Sequence, residues 1–581
     1  MTLKPKQRTR RIQTCILPTS VSVGVQCELL VAPPILSTTQ VDAATSDEEE
    51  EEEEDSDVLC NADSDYEPES ESESEDSETC DSDTEMDDKA WELNSDIDPL
   101  EEKHFIVSQS CLASLFSVCN CCLSSATASV VFQKGMMIVV KVCCTRGHEY
   151  LWHSQPQHGT MPRGHLTCAG AILFSGSSIS NILTLFHHMK VPMFSVRTYL
   201  KLQKFYLIPS VKCVWQDQQS SLLQSVQNTD LVLGGDARCD SPGHTAKYGT
   251  YTLLDLQCKK ILDIQLVQSN EVKNSFWMEL EGLKRAIHYL ESKGCVITEL
   301  VTDRHVSVKK YMRDENKEKK HFFDVWHMAK GIGKKLEIAS KKSGCSDIHQ
   351  WIKSASNHMY WVAASSGDDN EIKVDKWLSL LNHVRDQHSG HSVNFPECIH
   401  GPLEEKLWLA NGTKVFKVFE DVIANKALLR DIPQLSPVYQ TYALEVFHSV
   451  VNRFAPKSTH FFHSAMLTRM YLSALHYNEN GNRPQDVTLD GELKWQICYP
   501  KAKKGEQAVV KPVKSRVTYD YVDSLCRAVF ERRINFPSYI LAKRDVEASP
   551  SAPKPLTAAF PAADKKELVL NRKSRFVVRL V

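Results

Sequence analysis

Four acids and two cysteine/histidine groups are the residues of this sequence whose types and spacing could do chemistry. Asp236 ends the apolar run in TDLVLGGDARCD (229–240), with Asp240 as a rival four positions on. Asp303 ends VITELVTD (296–303), and Arg304, His305 and a basic stretch follow at once. Glu445 sits in PVYQTYALEVFHSVVNRFAPK (437–457) among Tyr442, Val446, Phe447 and Val450, with His448 nearly one turn on. An acid inside such an apolar run is costly without a partner. Carboxylates gathered in one volume repel unless a cation lies between them. Oxygen ligands with room left for water and phosphate favour Mg²⁺ or Mn²⁺, and two such ions about 3.5–4 Å apart can activate one oxygen and stabilise another.

Zinc chemistry is suggested by Cys119, Cys122, Cys144 and His148, in the pattern C-x2-C-x21-C-x3-H. Two thiolates from one turn, and a thiolate plus an imidazole from another, suit a tetrahedral ion. Cys121 and Cys143 are adjacent alternatives, and buried free thiols are the plain competing reading. His383, His388, His391, Cys398 and His400 could build a second zinc site, but the simpler reading of that stretch is a His-rich loop.

Positioning these groups falls to the intervening elements. ASVVFQKGMMIVVKVCC predicts a hairpin joining the two cysteine turns. After the strand ending at Asp236, YGTYTLLDL and ILDIQLVQ predict an antiparallel hairpin. NSFWMELEGLKRAIHYLESKG has helical spacing at Phe276, Leu280, Leu283, Ile287 and Leu290, and stops at Gly294. VITELVTD is then a fourth strand, and HFFDVWH a possible fifth leading into a helix. This order predicts a ribonuclease-H-like α/β fold, a mixed sheet with its first and fourth strands side by side. Asp236 and Asp303 would then face one volume, so Asp303 is read as a metal ligand before a helix cap. The long interval from Asp303 to Glu445 implies a helical insertion. Trp351, Trp361 and Trp377 fall at helical positions and read as its core, although one could stack on an extruded base.

The expected organisation begins with a flexible basic tail (1–45), a disordered acidic region (46–100) and a zinc-binding module (105–165). A helical linker with possible DNA contacts (166–228) precedes the core (229–340), its insertion (341–435), the part of the core bearing Glu445 (436–540) and a flexible tail (541–581).

The chain has 581 residues, 42% of them hydrophobic, and a formal charge of −6. That average hides a division. Residues 46–88 contain 24 Asp and Glu and no Lys or Arg, so residues 89–581 carry +15. A basic body of this kind suits a polyanion, most simply nucleic acid. The acidic block lacks the apolar residues needed to fold, and could compete with DNA for the basic body. No apolar run is long enough to span a bilayer, and no signal peptide is evident, so a soluble intracellular protein with reduced thiols is expected. KPKQRTRR (4–11) reads as a nuclear import signal or a solvated basic tail. Arg238, Lys247, Arg304, Lys309 and Lys310 flank the acids and would suit phosphate contacts.

GGDARCDSPGHTAKYGTYTLLD, VTDRHVSVKKYM, FDVWHMAK and ALEVFHS, with GHEYLWHSQP and LKWQICYPKA, resemble the Kolobok superfamily of cut-and-paste DNA transposases over residues 119–538. The resemblance implies a DDE core (Asp236, Asp303, Glu445) holding two Mg²⁺ or Mn²⁺ ions and cutting and joining double-stranded DNA at transposon ends and TTAA targets. It implies a nuclear location, a homo-oligomer, and an acid-x-x-His motif at Asp324 and His327, whose His approaches DNA or holds the insertion. Two departures are visible. No THAP-type Cys/His spacing occurs in residues 1–100, and Ala237 stands where the family has Gly. Without that DNA-end reader, a retained regulatory protein that binds DNA or chromatin without cutting is the alternative.

Overall fold

The computed structural model describes residues 93–572, apart from 95, 242–244, 402, 404–405, 489, 500–507, 549–551 and 562. The basic tail, its KPKQRTRR stretch and the acidic block of residues 46–88 lie outside the described residues. No helix among the described residues is long and apolar enough to cross a membrane.

Three strands come first: β1 (Ala126–Lys134), β2 (Met137–Cys144) and β3 (Glu149–His153), paired antiparallel in that order. The expected hairpin pairs Ala126 with Cys144, which returns the chain beside its own cysteine turn. A small core of Phe116, Val140 and Val142 backs it.

Five further strands make the central sheet: β4 (Asp230–Cys239), β5 (Tyr248–Asp255), β6 (Lys260–Gln268), β7 (Val296–Thr302) and β8 (Lys320–Phe323). Their order is β8-β7-β4-β5-β6. β4 runs parallel to β7 and antiparallel to β5, and β8 runs parallel to β7. The first and fourth strands of this sheet are thus neighbours. Side chains alternate between its faces. Leu231, Leu233, Leu253 and Leu300 pack with Leu283, Ile287 and Leu290 of α3 (Phe276–Ser292). Val232, Leu254, Ile261 and Val301 belong to a larger cluster on the other face. It takes in α1 (Arg163–Phe174), α2 (Ile208–Ser225), α10 (Tyr442–Phe454), α11 (His463–Asn480) and α12 (Asp520–Asn535). Covered on both faces, β5 is buried at every residue.

Two expectations change here. Residues 166–228 do not form a linker: Tyr206, Leu207, Val211 and Trp215 are buried in the cluster that holds the sheet. The segment beyond 540 is not wholly a loose tail either. Helix Tyr539–Ala548 buries Ala542 completely, and the Lys554 carbonyl accepts a hydrogen bond from Gln268 at 2.9 Å. The Pro/Ala composition of residues 547–564 hid the second of these anchors.

Between β7 and β8 runs α4 (Val306–Glu315). After β8 come α5 (Val325–Ser340), α6 (Ile352–Ser365), α7 (Asn370–His383), α8 (Lys414–Ile423) and α9 (Lys426–Asp431). These last five share a second core in which Trp351, Trp377 and Phe419 are fully buried. Trp361 packs at its margin, partly buried, so Trp351 and Trp377 are not free to stack on a base.

Candidate active site

Close packing around β4 sets the position of the first acid. A Cβ on Gly234 would lie 2.9 Å from Leu256 Cδ2 and 3.4 Å from Leu444 Cδ1, while one on Gly235 would lie 2.4 Å from the Tyr251 hydroxyl. The glycine pair lets α10 press on one face of the strand and Tyr251 on the other. Asp236 follows, half-buried, and its Oδ1 accepts from Ala237 N at 2.8 Å. Parallel pairing of Gly234 with Val301 brings the end of β7 alongside, and Asp303 follows that end. Its Oδ1 accepts from His305 N at 3.0 Å. Asp303 therefore stabilises the turn into α4 while its charge also acts on Asp236. His305, not Asp303, holds the N-cap position of α4, without a side-chain cap bond, so the expected capping role of Asp303 is replaced by this turn contact.

The Asp324–His327 motif joins the start of α5 to the start of α10. Asp324, completely buried, is the N-cap of α5 and accepts from His327 N at 3.1 Å. Its Oδ2 also bonds His327 Nδ1 at 3.0 Å, and its Oδ1 accepts from Thr441 N at 2.9 Å. Thr441 is the N-cap residue of α10, the helix that bears Glu445. His327 Nε2 then lies 3.7 Å from Glu445 Oε1. On the other side of the site, His448 Nδ1 lies 3.5 Å from Asp236 Oδ2. The motif histidine thus reaches an acid, in addition to helping tie the insertion.

Charge is concentrated at this place. Burial, with the nearby charges of Asp303 and Glu445, pushes the Asp236 carboxyl up to about 8, against the opposing pull of His327. Burial alone would depress His327, but Asp324, Asp236 and Asp303 push it up to about 9. His448 moves the other way, down to about 3, through burial and then the charges of Arg238, Lys457 and His327. One participant escaped the sequence reading. Glu279, in the first turn of α3, is held well above the ordinary carboxyl range by burial and by the charges of Asp303 and Asp236. Its Oε1 lies 3.7 Å from His305 Nδ1. First-turn acids are so common beside a helix N-terminus that composition could not single it out.

The structure places Asp236, Asp303 and Glu445 in one electrostatic neighbourhood without closing them into a single tight cluster. Among the described residues, the groups whose ligand atoms all lie within 4.8 Å of one another are two Cys/His sets. Asp240, the rival acid, is turned to a local task. Its Oδ1 accepts from Lys247 N at 2.9 Å and Tyr248 N at 3.3 Å, closing the loop between β4 and β5.

The five expected phosphate contacts divide. Arg238 is buried and donates to Asn452 Oδ1 at 2.6 Å and the Ala455 carbonyl at 2.9 Å, so it braces α10 rather than facing solvent. Arg304 and Lys309 both pair with Asp431, itself almost wholly buried at the end of α9. Lys247 and Lys310 are exposed; the Lys247 ammonium lies 3.4 Å from His460 Nδ1.

One Cys/His set is Cys119, Cys122, Cys144 and His148. Two turns present it. In the first, Leu123 N bonds the Cys119 carbonyl at 2.9 Å. In the second, Gly147 adopts φ +84, which lets its N–H reach the Cys144 carbonyl at 3.0 Å. His148 N also donates to Cys144 Sγ at 3.3 Å. Cys122 Sγ lies 3.7 Å from Cys144 Sγ, and His148 Nδ1 lies 3.5 Å from Cys144 Sγ and 3.9 Å from Cys119 Sγ. Tetrahedral edges built from Zn–S and Zn–N bonds would be about 3.8 and about 3.6 Å, so this set could hold a metal such as zinc. Cys143 instead donates to Glu149 Oε1 at 3.3 Å.

The sequence matches no protein-family model and none of the curated proteins. Among solved structures the chain is similar to the Drosophila P element transposase strand transfer complex, at 11% identity and a TM-score of 0.24, over 55% of this chain and 92% of that one.

Proposed function

We propose that this chain is a DDE-type DNA transposase, or a protein derived from one, with a ribonuclease-H-like core, cutting and joining double-stranded DNA with two Mg²⁺ or Mn²⁺ ions. One observation carries the reading. Parallel pairing of β4 with β7 brings the strand ends before Asp236 and Asp303 side by side, the charges of Asp303 and Glu445 act on Asp236, and His327, held by Asp324, lies 3.7 Å from Glu445 on a helix remote in sequence. Asp236, Asp303 and Glu445 would hold the ions, which lower the pKa of an attacking oxygen and stabilise a departing one.

The chain's own groups have distinct tasks. The three acids supply the negative charge, and their mutual repulsion favours a bound cation. His327, protonated over the ordinary pH range, balances that charge and fixes Glu445. Asp324 fixes His327 and the first turn of α10. Lys247 and Lys310 contact phosphates and orient the strand, while Arg304 and Lys309, through Asp431, hold α9 against the start of α4. Cys119, Cys122, Cys144 and His148 bind one structural zinc that ties the three-stranded sheet to its cysteine turn. The Kolobok motifs further suggest nuclear action as a homo-oligomer.

The test is divalent-metal-dependent nicking of supercoiled DNA by the full chain, compared with Asp303→Asn. The variant should bind DNA as the parent does and cut at least about a hundredfold more slowly. Equal cutting by both would leave a DNA-binding protein without this catalytic centre.

A further inference from the structure

We propose that the helical insertion contains a second metal centre, a zinc site built by His383, His388, Cys398 and His400. It is independent of the catalytic reading and replaces the plain expectation of a His-rich loop. His383 is the last residue of α7, and the other three lie in the connection to α8, where the described residues of 384–413 contain one isolated bridge, Ser389 with Glu397, and no helix or strand. Connections beyond about 12–15 residues are uncommon inside compact domains. Within this one, the buried apolar side chains among the described residues are Val384, Phe395 and Leu409, too few to hold such a length in place.

The ligand atoms of the four residues all lie within 4.8 Å of one another. Cys398 Sγ is 3.6 Å from His383 Nδ1, the edge expected for one sulfur and one nitrogen on a tetrahedral ion, about 3.6 Å. The three imidazoles form a nearly equilateral triangle: ring centroids are 5.0 Å apart for His383–His388, 5.0 Å for His383–His400 and 4.9 Å for His388–His400. Their planes meet at 76°, 88° and 89°. Edge-to-face contact alone is ordinary ring packing; what points to an ion is that one ligand atom from each of the three rings and the Cys398 sulfur converge within 4.8 Å of one another.

The opposite ring nitrogens complete the argument. Metal-bound histidines donate their second N–H to a carboxylate or a backbone carbonyl, which fixes the ring. His388 Nε2 lies 3.1 Å from Asp386 Oδ1, and its Nδ1 is buried without a hydrogen-bond partner. His400 Nδ1 lies 2.8 Å from the Gly401 carbonyl, leaving Nε2 for the ion. His391 is excluded as a ligand by its neighbours. Asn382 Nδ2 donates to His391 Nδ1 at 3.1 Å, so Nε2 carries the proton and meets Cys398 Sγ at 3.2 Å as a donor to the thiolate. The backbone supports the arrangement: Cys398 N donates to the His388 carbonyl at 2.8 Å, and Trp351 and Trp408 flank His383. An ion here would pin the connection to the end of α7 where apolar burial does not.

Zinc content of the purified full chain tests the proposal. His388→Ala and His400→Ala should each lower it by about one equivalent, and His391→Phe should leave it unchanged. Equal zinc in the parent and in the His388→Ala/His400→Ala chain overturns the site; loss in His391→Phe as large as in His388→Ala overturns the ligand assignment. Should the alanine chains fail to fold, the unmutated chain decides. Alkylation of Cys398, read by peptide mass spectrometry, should accelerate at least about tenfold on chelation, because zinc protects the thiolate. A rate unaltered by chelator overturns the proposal.

Discussion

Replacing Asp324 tests the link between the insertion and the acids. Asp324→Ala removes the α5 cap, worth about 1 kcal/mol. It leaves Thr441 N without its acceptor, at about 1–3 kcal/mol, and deletes the charged bond to His327, at about 1.5–3 kcal/mol. If the three losses add, the chain is destabilised by roughly 4–7 kcal/mol, a large part of the ~5–15 that a domain has. Asp324→Asn is the finer probe. Its amide oxygen can still accept from Thr441, but the charge that helps hold His327 at about 9 is gone. His327 lies above its ordinary 6.5 in the folded chain, so its stabilisation is complete below that pH and is lost as pH rises through about 9. The parent should therefore exceed Asp324→Asn in urea stability most clearly near pH 6, and by less above about pH 9. Cleavage by Asp324→Asn should fall more than tenfold, since Glu445 loses its oriented neighbour. Tryptophan fluorescence during unfolding and plasmid nicking on the same preparations provide both readings. An equal stability gap at both pH values, together with unchanged cleavage, would refute the relay.

Two more outcomes follow from the same charges. Asp236 sits at about 8, above its ordinary 3.8; for an acid shifted upward, the metal-free chain loses stability as pH rises between those values. Mg²⁺ should therefore raise the melting temperature more near pH 8 than near pH 5, and Asp236→Asn should flatten the difference; an equal rise at both pH values contradicts this. Glu279→Gln should raise the melting temperature of the metal-free chain, by removing a carboxyl whose ionisation is disfavoured by burial and then by the charges of Asp303 and Asp236, and should weaken Mn²⁺ binding in calorimetry severalfold. Unchanged melting and binding would place Glu279 outside the site.

Periodicity made the central strands legible. YGTYTLLDL and ILDIQLVQ are rich in β-branched and aromatic residues and became β5 and β6, while VITELVTD became β7 with Asp303 just past its end. Spacing also exposed the Cys119–His148 set, since cysteine turns carry a local signature. What sequence could not show was pairing over distance. Arg238 reads as a cation beside an acid, yet Asn452 and Ala455, far along the chain, take it inside. The motif histidine at 327 was visible; that it meets Glu445 depends on Thr441 bonding Asp324 across the insertion. The His-rich connection offered its five residues as a possible second zinc site; which four of them converge is visible only after a turn has folded them back.

The insertion is consequently more than an appendage. Its last helix, α9, ends at Asp431, whose buried carboxylate takes the charges of Arg304 and Lys309 from the segment just after Asp303. Breaking a buried pair by removing one partner is far more costly than its surface counterpart, so the end of the insertion and the turn bearing Asp303 are held to each other. Asp324 does the same at the other end, joining the first helix after β8 to the helix that carries Glu445. One acid is thereby braced from the exit of the insertion and another from its entrance. Two of the five cations near the acids, Arg304 and Lys309, serve this bracing and a third, Arg238, braces α10, which leaves Lys247 and Lys310 exposed.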